Sequence, residues 1–114
     1  METAANTTLT ATDRCILESY IPVVKGLSEY LGSGYEVVLH SLEKPDESVI
    51  CIMNGHYTGR EVGSPVTDFA LEMLERIKTN EGAPYMTYMT QNKNGEPIRS
   101  TTIAIYGENH RIIG

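Results

Sequence analysis

The sequence predicts an α+β domain built on an antiparallel β-sheet with flanking helices. Three observations carry this. Val66, Phe69, Ala70, Met73, Leu74 and Ile77 recur at the spacing of one helical face. Four runs, at 35–42, 48–53, 85–91 and 98–106, are rich in β-branched, aromatic and other apolar residues and are bounded by Gly, Pro, Asn and Asp. The connections at 43–47 and 92–95 are short, which suits antiparallel hairpins and leaves no room for parallel crossovers.

Residues 1–11 read as a small, polar leader and 12–114 as one domain with a single modest core. A helix is expected from Thr12, capped by Thr12 or Asp13, with Leu17, Tyr20, Ile21, Val24, Leu27 and Leu31 on one side. Pro22 has no amide to give and should kink it, and Gly32, Ser33 and Gly34 should stop it. That apolar stripe must cover either the domain's own sheet or a helix of a second copy. In the strand that follows, Val37 and Leu39 face opposite to Val38 and His40. Ser64 is the expected cap of the next helix, with Pro65 at its first position, Asp68 favouring its positive end, and Lys78, Asn80 and Gly82 closing it. Asn94-Gly95 marks a tight turn, after which Thr101, Ile103 and Ile105 alternate with Thr102 and Ala104. Residues 111–114 begin a further strand.

Bulk properties exclude several classes. A formal charge of −6 argues against gripping a phosphate backbone, where affinity comes from Lys and Arg displacing counterions. No apolar run approaches the ~20 residues of a membrane span. The first eight residues lack the basic and apolar regions of a signal peptide, so a cytoplasmic location is expected. Cys15 and Cys51 read as buried thiols, neither a disulfide framework nor a metal pair.

Polar groups concentrate between residues 53 and 69. Asn54, His56, Thr58, Arg60, Thr67 and Asp68 crowd a crossover that also holds Gly55, Gly59 and Gly63. Glycines every fourth residue match neither the dinucleotide fingerprint nor a P-loop, so their expected task is backbone of positive φ. The histidines at 40, 56 and 110 have no ligand spacing with one another or the cysteines, and no metal or cofactor is expected. Ser64 or Thr67 with His56 and Asp68 could form a nucleophile, base and orienter, but no activating motif accompanies them, and an enzyme is not expected. Arg60 instead offers a forked donor to a carboxylate, with Asn54, His56 and Thr58 orienting it. His40, beside Leu39 on its strand, suits a hydrogen-bonded core histidine as well as a ligand group. Two functional classes follow: a pocket for a small polar or anionic metabolite, or an interaction module whose polar crossover only braces the fold.

The run from Glu36 to Leu42, then Asn54-Gly55-His56-Tyr57-Thr58-Gly59-Arg60, then Val62 to Asp68, resembles the YheO-like PAS domain family. The likeness extends over residues 16–31 and 99–105. It implies a PAS-like antiparallel sheet with flanking helices, a non-enzymatic sensor of a bacterial transcriptional regulator, and homodimerisation. DNA would be met only through a helix-turn-helix not present in this chain. By position, His40, Asn54, His56, Thr58, Gly59, Arg60 and Asp68 match the family's pattern; these, with Thr67, are the expected ligand-binding residues. Ser41 stands where many members have Asp, which removes a charge pair at that point. The resemblance also places a fifth strand between the first and fourth; here it is truncated, beginning only at Arg111.

Overall fold

A computed structural model describes residues 8–79 and 83–114. The expected leader over residues 1–7, and Asn80 and Gly82 as helix terminators, lie outside them. Helix α1 (Ala11–Glu18) is followed by α2 (Ile21–Leu31), β1 (Val37–His40), β2 (Val49–Met53), α3 (Asp68–Thr79), β3 (Tyr85–Gln91) and β4 (Pro97–Ile103). Short 3₁₀ turns occupy Pro45–Glu47, Gly55–Tyr57 and Glu108–His110.

The amino-terminal helix is capped earlier than expected. Thr10 Oγ1 accepts from the Asp13 amide and Asp13 returns the bond to the Thr10 amide, both at 3.0 Å, a reciprocal capping box. Leu9, assigned to the leader, lies in the core at 3% exposure. The anticipated kink is a full break. Pro22 cannot donate to the carbonyl four residues back, so α1 closes at Glu18 and α2 restarts with Pro22 in its first turn. Cys51 is buried, but Cys15 is exposed, because it lies on the outward side of α1.

Helix α3 also starts later than Ser64. The Ser64 hydroxyl accepts from Glu61 N at 3.0 Å, its carbonyl accepts from Val49 N at 3.0 Å, and Val66 N donates to Pro45 O at 3.0 Å. Residues 63–66 are therefore tied down as a strap along β2, and Thr67 becomes the cap, accepting from Ala70 N at 3.1 Å.

The strands form two antiparallel pairs, β1–β2 and β3–β4, in place of the single sheet expected. Leu39 pairs with Cys51 and Val37 with Met53, and these residues meet Leu17 and Val24 of the helices in one apolar cluster. In β3–β4, Met86 pairs with Thr102 and Tyr88 with Ser100, and α3 covers that half through Leu74, Ile77 and Leu71 in a second cluster. The outer face of this hairpin leaves Tyr85, Met89 and Ile103 between 57% and 62% exposed.

What joins the pairs is the carboxy-terminal run. Ile113 N donates to Ile105 O at 2.8 Å, and Ile113 O accepts from Leu42 N at 2.9 Å, so residue 113 lies between the ends of the two hairpins. Ile105 N adds a bond to Gly114 O at 2.9 Å. The neighbouring side chains point alternately, Ile113 into the first cluster and Ile112 into the second. Gly114 has no space for a Cβ, which would lie 2.2 Å from His40 O.

Ile113 is fully buried. Ile113→Ala should therefore remove about 3 kcal/mol of stability, the usual cost of a large buried aliphatic deletion. Urea denaturation followed by far-UV circular dichroism measures it, and a loss no larger than that of an exposed site such as Val62 would contradict the welding role.

Candidate functional site

The polar crossover is a rigid turn whose rigidity comes from one carbonyl. Gly55 O accepts from the amides of Thr58, Gly59 and Arg60 at 3.2, 2.8 and 3.1 Å. Gly59 and Gly63 have the positive φ expected of them, at +76° and +94°. Gly55 does not; its requirement is space, since a Cβ would lie 2.3 Å from Arg60 O and 2.9 Å from Ile52 Cδ1. Asn54 takes the left-handed conformation that ends β2, at φ 61°.

The eight sequence-predicted residues do not share one cluster. Asn54 Nδ2 donates to Tyr35 O at 2.7 Å, and Tyr57 Oη donates to Ser33 O at 2.7 Å, so these side chains pin the turn to the loop after α2. Arg60 donates to Glu36 Oε2 at 2.9 Å and to Thr58 Oγ1 at 3.2 Å, while Thr58 Oγ1 donates to Glu36 Oε1 at 2.8 Å. The guanidinium fork expected to await a ligand carboxylate already holds one belonging to the protein. His40 Nδ1 is 2.7 Å from Ser48 Oγ, and Ser48 is completely buried. Burial, with the nearby Arg60 charge second, pushes the His40 pKa down to about 4. Thr67 and Asp68 stand exposed at the start of α3, one as its cap and the other in its first turn.

His56, Thr58 and Gly59 do converge. With Tyr57 they form one wall of a hollow of about 250 Å³, and Asn92, Lys93 and Asn94 form the other. The second wall is as firm as the first. Asn92 Oδ1 accepts from the amides of Asn94 and Glu96 at 2.9 and 3.0 Å, and Gly95 turns the chain at φ +79°. Sequence reasoning found this tight turn but gave it no role at the site, because contact between residues 59 and 93 is a tertiary fact without local signal. It also missed Glu36, whose meaning depends on the Arg60 it faces. Among the described residues, no group of three or more His, Cys, Asp or Glu is placed to hold a metal ion. None of the described helices is long and apolar enough to cross a membrane.

A helical pair packs on one hairpin and a third helix on another, with a glycine-bearing polar crossover between them, an α+β arrangement that fits a PAS-type module. The chain belongs to the YheO-like PAS domain family, which it matches over residues 10–114. It is 46% identical to the protein YheO of Escherichia coli K12 over 103 residues, 90% of this chain and 43% of that protein. An uncharacterised protein of Haemophilus influenzae is 45% identical over 102 residues, 90% of this chain and 45% of that protein. The chain thus spans less than half the length of the curated relatives it matches. No solved structure gives a significant match. Membership of this family suggests a regulatory sensing or interaction module.

The Arg60–Glu36 pair is largely shielded, with side-chain exposures of 27% and 12%. Arg60→Ala should cost about 2 kcal/mol and lower Tm by roughly 10 °C, because it strands a partly buried carboxylate. A calorimetric Tm within about 2 °C of the parent would show that the pair contributes nothing.

His40 gives a pH signature. Its folded pKa lies below its ordinary value of 6.5, so unfolding takes up a proton once the pH falls under 6.5. The stability from keeping His40 neutral is present above pH 6.5 and is lost as the pH falls toward about 4. Tm should decline through this window, and His40→Asn should flatten the decline; parallel pH profiles for parent and variant would refute the assignment.

Proposed function

We propose that this chain is the self-associating module of a cytoplasmic transcriptional regulator, and that α2 provides the contact between two copies. One observation carries the reading: α2 has two apolar faces. Val24 and Ile21 turn inward to the first cluster. Val23, Leu27 and Tyr30, with Tyr20 at the cap of the helix, turn outward, at 50%, 46%, 88% and 39% exposure. Their spacing of three, four and three residues is that of a helix–helix seam. The sequence left open whether the stripe covers the domain's sheet or a second copy; two faces serve both. In this reading Asn54 and Arg60 brace the fold, and the signal passes as a change in association. DNA contact would belong to a further region of the regulator.

A ligand-sensing role is favoured by a different observation, the hollow between residues 56–59 and 92–94. Its walls come from the crossover that leaves β2 and from the β3–β4 turn, and the strand pairs β1–β2 and β3–β4 share no ladder. A bound molecule there would bear on how the hairpins sit, which is how an input could reach the association surface.

Light scattering on a sizing column tests the first reading. The parent should elute at twice 12.6 kDa, and Leu27→Glu at 12.6 kDa with Tm changed by less than about 3 °C, because Leu27 is outside the core. A parent of single-chain mass up to about 100 μM, a concentration well above a micromolar Kd, would overturn it.

A further inference from the structure

We infer that the hollow between the 56–59 turn and the β3–β4 turn is a seat for a small anion, a phosphate or carboxylate group, held by Lys93. This rests on the ligand-sensing reading of the hollow, whose ligand class it names, and stands or falls separately from self-association through α2.

Charge is the first reason. Lys93 and His56 line the hollow with four polar uncharged side chains, Tyr57, Thr58, Asn92 and Asn94, and no acidic one. Lys93 enters none of the ion pairs among the described residues, although the whole chain carries a formal charge of −6. The two carboxylates bonded to lining residues are already engaged. Glu36 is held by Arg60 and Thr58, and Glu96 accepts from Asn92 Nδ2 at 2.8 Å. Glu36 is thus balanced by Arg60, and Glu96 makes no ion pair with Lys93.

Preorganisation is the second. Lys93 rides on a turn fixed by three bonds to Asn92, with Gly95 N donating to Asn92 O at 3.0 Å in addition to the two amides on Oδ1. Opposite it, Gly59 is fixed by the Gly55 carbonyl. The two walls meet closely: a Cβ on Gly59 would lie 3.3 Å from Lys93 Nζ. Glycine at 59 therefore does two things. It permits φ +76° and leaves the floor beneath the ammonium group clear. Rigid elements lose little freedom when an anion arrives.

Size sets the ligand class. A hollow of about 250 Å³ is below the ~300–1,000 Å³ of sites for drug-sized molecules. It suits a single phosphate or a short dicarboxylate, with Lys93 as the point charge and His56 and Asn94 as neighbouring polar groups.

Titration of the ¹⁵N-labelled 114-residue chain with inorganic phosphate and, separately, succinate at constant ionic strength tests this. With either probe, the amides of Thr58, Gly59, Lys93 and Asn94 should shift in a saturable way, and a sodium chloride control should not reproduce it. Lys93→Ala should weaken binding at least tenfold, while Lys93→Arg should keep it within threefold. Saturation by phosphate alone or succinate alone supports the site and names the head group. Silence from both probes, or equal affinity in Lys93→Ala, overturns it. Lys93 is exposed, so the alanine variant should keep the parent's circular dichroism spectrum and Tm, and loss of binding reads as loss of the site.

Discussion

Residue 113 is where the domain becomes one body. Each hairpin alone is a two-stranded ribbon, a unit that is marginal in water without further strands or a packed helix. The peptide groups of Ile113 are shared between Leu42 on one side and Ile105 on the other, and its side chain is fully buried in the helix-covered cluster. The two apolar clusters meet here at Ile113 and Ile112, as they do at Ile105 and Ala104. They are joined because successive residues of one extended run must face opposite ways.

Beside this seam lies a polar knot that holds the chain's distant parts together. Asp13 is completely buried, yet its carboxylate is well supplied. It accepts from Thr10 N at 3.0 Å, from Glu108 N at 2.8 Å and from Arg111 at 2.6 Å. The amides of Thr10 and Glu108, with a smaller part from Arg111, hold its carboxyl below the ordinary carboxylate range. Gly107 makes the approach possible: a Cβ there would lie 2.2 Å from Asp13 Oδ1. Burial of a charge is tolerated here because each oxygen finds donors.

Much of this was legible in the residues. The helical face around Met73, the Asn94-Gly95 turn and the strand at 85–91 are local patterns and appear where periodicity puts them. What was not legible depended on partners far along the chain. Asp13 reads as a cap residue until Glu108 and Arg111 arrive. Ser64 reads as a cap until its neighbours bond to Val49 and Pro45 and draw it into a strap. Arg60 reads as a waiting donor until Glu36 takes it. The same limit applies to the hollow: its first wall was visible as a polar crossover, whereas its second wall, at residues 92–94, was visible only as a turn.

The knot at Asp13 has a consequence for synthesis. Its donors Glu108 and Arg111 lie 95 and 98 residues downstream. At a translation rate of about 5–20 residues per second, that interval lasts roughly 5–20 s. Throughout it, the newborn α1 has a carboxylate lacking its long-range partners and an apolar side, at Leu17, still facing water. A nascent chain of this design spends those seconds as a substrate for whatever waits at the ribosome's exit.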